Sequence, residues 1–75
     1  MTLLDTVRAA HRLPKPAMAR LIRSEAGVSQ ARLAAEVGVH RVTLARWEAG
    51  VSRPQSAALR ARYASLLADM QELTA

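Results

Sequence analysis

The chain has no cysteine and only two histidines, His11 and His40. That excludes disulfides and thiolate metal sites, and two histidines far apart offer no metal-ligand spacing, so no metal is expected. Glycine is sparse as well, and its three copies form no phosphate-cradling loop. No nucleophile elbow of the G-x-S-x-G type occurs. No cofactor is therefore implied, and the chain reads as something other than an enzyme. Long apolar runs are missing: nothing approaches the ~18 residues of a membrane span, and no signal-peptide pattern is present. Phenylalanine is absent, leaving Trp47 and Tyr63 as the aromatic residues. Acid is scarce too, with six Asp+Glu against eleven Lys+Arg and a net charge of +5.

What remains is a helix-forming, basic chain. Its 75 residues are 51% hydrophobic, enough to order one small domain spanning 1–75 with a modest core. Much of that apolar content is alanine and β-branched runs are few, which favours an all-α fold. Ten of the eleven cations are arginine, the side chain that grips phosphate and guanine bidentately. A GC-rich genome would also favour arginine and alanine. The charge is uneven, however. Five basic residues and no acid lie between Thr6 and Ser24, and between Val37 and Ala68 Glu48 is the sole acid among five arginines. A basic face of this kind suits nucleic acid and adds salt-dependent affinity.

Helical periodicity gives five segments. Thr2 can cap a helix over 3–12 that carries Leu3, Leu4 and Val7 on one face and stops at Pro14-Lys15-Pro16. It either completes the core or serves as a partner-binding or membrane-surface helix. A scaffold helix over 17–26 follows, with Met18, Leu21, Ile22 and Ala26 as its apolar stripe. Next comes a pair of short helices over 30–49, split at Gly38. Leu33, Ala34 and Val37 share a face in the first, and Leu44, Trp47 and Glu48 in the second. Gly38 can end the first helix in a left-handed cap, and Val39 can join the two apolar faces. Such a pair is a helix-turn-helix, whose second helix enters the DNA major groove. A last helix over 55–73 repeats Leu59, Tyr63, Leu66, Met70 and Leu73 in a heptad-like seam widened by Leu67.

Helical phase also sorts the residues of the second short helix. Leu44, Trp47 and Glu48 point toward the scaffold, while Val42 and Arg46 point away, flanked by Arg41, Ala45 and Thr43. Arg41 and Arg46 can grip guanine O6 and N7, and Val42 can sit on a thymine methyl. Base contact is therefore assigned to Arg41, Val42, Ala45 and Arg46, with phosphate or water contact the plainer alternative for the arginines. Trp47 reads as core. An unpaired inward Glu48 would cost several kcal/mol, so it calls for a cationic partner.

From about Arg20 to Pro54 the chain resembles the lambda-repressor-like (Cro/repressor-type) helix-turn-helix family. The resemblance is carried by Gly27-Val28-Ser29-Gln30, Leu33-Ala34, Val37-Gly38-Val39, Leu44, Trp47-Glu48, Gly50 and Arg53-Pro54. With the helix over 3–12 as an addition to the family-like part, the five segments are expected to form a small all-α five-helix bundle around the central motif, and the resemblance implies an Arg23–Glu48 structural ion pair. It further implies backbone contacts by Ser29, Gln30, His40, Thr43, Ser52 and Arg53. One position departs: His40 stands where the family usually has Ser or Thr, and histidine is a poorer helix cap. The implied function is a sequence-specific transcriptional regulator of double-stranded DNA, a small repressor of phage immunity, Cro-like or autoregulatory kind. The setting would be the cytoplasm of a bacterial cell, with the gene phage-borne or chromosomal. A homodimer on a two-fold operator is expected. Tyr63, Leu66, Met70 and Leu73 form either its surface or the bed of the N-terminal helix. No attached ligand-sensing domain is expected, and no small-molecule effector is evident. From a different class, the chain could be a protein–protein interaction module, antitoxin-like or an accessory helical protein. Binding of nucleic acid through charge alone is a third reading.

Overall fold

A computed structural model describes residues 12–74. Four helices follow one another: α1 (Pro16–Glu25), α2 (Gln30–Val37), α3 (Arg41–Glu48) and α4 (Ala57–Thr74). The described residues are thus all-helical and hold four of the five expected helices. The helix expected over 3–12 falls outside them except for Arg12, which is not helical.

Each boundary has a local cause. Pro16 opens α1 at the first position, where its missing N–H is no loss. Ser29 caps α2 by accepting the Arg32 N–H at 3.0 Å. Gly38 ends it at φ +93°, a left-handed conformation that a side chain would strain, and its N–H returns to the Ala34 carbonyl. His40 caps α3 after all. Its Nδ1 accepts the Val42 N–H at 3.1 Å, taking the place of a serine or threonine oxygen. The chain leaves α3 through Gly50 at φ +76°, and Ser56 starts α4 by accepting the Leu59 N–H at 3.0 Å.

The core lies where α1, α2 and α4 close over the inner side of α3. Leu33, Val37, Leu44 and Leu67 are its largest fully buried side chains. Ala34 lets α2 and α3 approach closely, and Arg62 donates from α4 to the Glu36 carbonyl at the end of α2 at 3.0 Å. Trp47 and Tyr63 stack with ring centroids 5.0 Å apart.

Two expectations about packing change. In α1 the buried residues are Ala19 and Ile22, whereas Met18 and Leu21 stay about half exposed, at 48% and 49%. Ala19 shares its surroundings with Trp47 and Tyr63, so the bulky aromatic pair fills the space and the helix presents its smallest residue. In α4 the inward line is Tyr63, Ala64, Leu67 and Met70. Tyr63 and Met70, expected at a partner or N-terminal-helix surface, are used in the bundle's own core. Leu66 is half-buried and packs against the core, whereas Leu73 is 85% exposed.

Candidate nucleic-acid interface

The site is built on the outer side of α3. Leu44 is fully buried at 0% exposure, and Trp47 and Glu48 lie beside it, which fixes the helix's rotation about its own axis. The other side is then presented outward. Arg41 and Arg46 are exposed, Val42 is 43% exposed, and Thr43 and Ala45 are half-buried on the flanks. Val42 and Arg46 stand one turn apart, as do Arg41 and Ala45, so the four make one continuous strip. No carboxylate falls on that strip.

A network of hydrogen bonds locks this helix to the scaffold. Arg23 Nε donates to Glu48 Oε2 at 2.6 Å, and a second guanidinium nitrogen donates to Oε1 at 3.0 Å. The third guanidinium nitrogen donates to the Val28 carbonyl at 2.7 Å. Both side chains are largely withdrawn from water, at 11% and 2% exposure, so the fork geometry acts in a medium that screens little. Burial pushes the Glu48 carboxyl upward, but hydrogen bonds from Arg23 and Gln30 outweigh it and hold the group below its ordinary range. The bond to Glu48 raises Arg23 in turn, against the opposing effect of burial. Burial, reinforced by Glu48, pushes the Tyr63 hydroxyl up to about 12.

Gln30 is part of the same network, which its position at the start of a helix did not disclose. Its Nε2 donates to Glu48 Oε1 at 3.0 Å, so its amide is held inward by one of its two N–H bonds. Ser29 uses its hydroxyl as the α2 cap, and His40 uses Nδ1 as the α3 cap. Both residues are exposed. Ser52 is half-buried and Arg53 exposed in the loop after α3. They share a depression with Lys15, a residue that sequence reasoning passed over. Its only signal was a cation between two prolines.

Among the described residues, no His/Cys/Asp/Glu group is arranged to hold a metal. No helix among them is long and apolar enough to cross a membrane.

The outward strip and its rigid backing find a counterpart in known families. A family model described as helix-turn-helix matches residues 18–61, more than half of the chain. No curated protein and no solved structure matches it. The matched span begins inside α1 and ends five residues into α4, enclosing the motif with most of α1 and the start of α4. With α2 and α3 joined through a left-handed Gly38 and α3 turned cation-outward, the chain belongs to the Cro/repressor-type helix-turn-helix family of DNA-binding regulators.

Proposed function

We propose that the chain is a sequence-specific transcriptional regulator that acts as a small repressor. In this reading α3 lies in the major groove, with Arg41 and Arg46 on guanine edges, Val42 on a thymine methyl and Ala45 allowing close approach. Gln30, Thr43, Ser52 and Arg53 hold the phosphate backbone, joined by Ser29 and His40. Occupancy of an operator then blocks polymerase. The observation that carries the reading is the division of α3 into a buried inner face and an outer strip bearing Arg41, Val42 and Arg46 without an acid.

A homodimer on a two-fold operator belongs to the same proposal, since paired half-sites one DNA turn apart suit a small reading head. The exposed Leu73 at the end of α4 supplies apolar surface for such a contact. A phage immunity or Cro-like repressor and an antitoxin-type autoregulator both fit, each in the bacterial cytoplasm. An interaction module with no DNA function would have no use for the arginine strip, which argues against that alternative. Selection of bound duplexes from a random pool tests the whole reading. A two-fold consensus is expected, and equal binding of selected and scrambled duplexes at physiological salt would refute it.

A further inference from the structure

Lys15 sits between Pro14 and Pro16 in the stretch leading into α1. Both Leu13 and Lys15 precede a proline, which restricts them to extended backbone, and Lys15 has φ −60° and ψ 152°. The stretch also lies beside the turn after α3: a side chain at Gly50 would come within ordinary contact, 3.7 Å, of the Pro16 ring. Backbone stiffness and packing together therefore hold Lys15 beside the Ser52–Pro54 loop. Between the two runs a depression of about 230 Å³. Trp47, Tyr63 and the prolines give it an apolar lining, and Lys15, Ser52 and Arg53 are its polar members.

Two cations on one small depression repel each other unless an anion lies between them. Among the described residues the ion pairs are Arg23–Glu48 and Arg32–Glu36, so no carboxylate there serves Lys15 or Arg53. An ammonium, a guanidinium and a hydroxyl can all donate, which matches a group that offers only acceptor oxygens. The apolar lining reduces screening around such a group.

We propose that Lys15 and Arg53 close on a single backbone phosphate of the bound duplex, with the Ser52 hydroxyl as a third donor. The proposal rests on the DNA-binding reading above and extends it to a residue outside the span 18–61. The Pro-Lys-Pro stretch becomes the second jaw of a clasp whose first jaw is the loop after α3. A duplex phosphate is favoured over a free phosphate ion because Arg53 and Ser52 lie on the loop that continues directly from α3.

The test uses the full chain and its Lys15→Ala, Lys15→Arg and Arg46→Ala variants, with duplex affinity measured against salt concentration. Lys15→Ala should make the slope of log K against log salt shallower by about 0.9, the share of one phosphate. The change should be the same on selected and scrambled duplexes, and Lys15→Arg should restore it. Single uncharged methylphosphonate linkages placed along the site should reveal one position where the wild type weakens and Lys15→Ala does not. If Lys15→Ala keeps the wild-type slope while Arg46→Ala loses preference for the selected site, the clasp is wrong and the DNA reading stands. If the wild type binds no duplex, both fall. If inorganic phosphate saturates a change in Trp47 fluorescence without DNA while Lys15→Ala leaves the slope unaltered, the depression holds a free anion and the proposal is overturned.

Discussion

Leu44, Trp47 and Glu48 on the inner side of α3 are buried, while Arg41, Val42 and Arg46 on the outer side stand in solvent, only one to three residues away. The inner side has a partner for each of its groups, whereas the outer strip has none within the described chain. On the proposed function, stability and recognition fall on opposite sides of one eight-residue helix, and substitutions should separate them. The largest effect is expected inside. Glu48→Ala strands Arg23 at 11% exposure without its carboxylate, at a cost of about 3–5 kcal/mol. A chain of this length has roughly 4–11 kcal/mol in total, so the variant should be marginal or unfolded in urea titrations followed by Trp47 fluorescence. The same pair sets an acid limb. The Glu48 pKa in the folded chain lies below that of the unfolded chain. Its contribution is therefore present above about pH 4.3 and lost as pH falls from there through the lower folded value. Glu48→Gln should flatten that limb.

On the outer side Arg46→Ala should cost about 1–3 kcal/mol on a selected duplex and relax one base position. Its urea midpoint should stay within about 0.5 kcal/mol of the wild type, as for surface changes generally. A variant that lost stability and kept its binding would invert the comparison, because Arg46 would then be holding the fold. Arg53→Ala sharpens the same contrast. It should weaken all duplexes alike and make the salt dependence shallower, since a phosphate contact carries no base preference.

How much of this could be read from residues alone depended on how local the cause was. Gly38, Ser29 and Ser56 act within three or four positions of themselves, and the helix limits they set were legible to within a residue or two. The inward phase of Leu44, Trp47 and Glu48 was legible because a 100° turn per residue leaves little freedom once Leu44 faces the core. The seam of α4 was legible in part: Leu59, Tyr63, Leu66 and Met70 lie in or against the core, but Leu73 does not. Its apolar residues fill two adjoining lines, and only the position of α1 and α2 decides that Tyr63, Leu67 and Met70 turn inward while Leu73 does not. Lys15 and the amide of Gln30 escaped for a related reason, since each meets its neighbours across a long sequence gap.

The two ends of the turn between α2 and α3 differ in how replaceable they are. Gly38 is set by its left-handed backbone, which only glycine adopts at no steric cost. His40 is set by one side-chain nitrogen, which other acceptors can supply. His40→Ala should therefore lose about 0.5–2 kcal/mol, the usual value of a helix cap, whereas His40→Ser should keep or exceed the wild-type stability. Thermal unfolding of the two variants decides it. Equal loss in both would mean that the ring matters for something other than the Val42 N–H.

The smallest effect, and the one opposite in sign, is expected at Tyr63. Its ring packs on Trp47 behind α3, but its hydroxyl is buried without a hydrogen-bond partner among the described residues. Removing such a group while keeping the ring should be neutral or gain about 1 kcal/mol, because the unmet hydroxyl is dehydrated for no return. Alkaline pH gives a second reading of the same group. With its pKa raised to about 12, folded Tyr63 stays protonated while the unfolded chain ionises near 10. Its share of stability is whole below about pH 10 and falls away between there and 12, and Tyr63→Phe should lack that decline. If Tyr63→Phe instead loses more than about 1 kcal/mol at neutral pH, the hydroxyl has a partner, and the wall behind α3 is held by a polar contact as well as by packing.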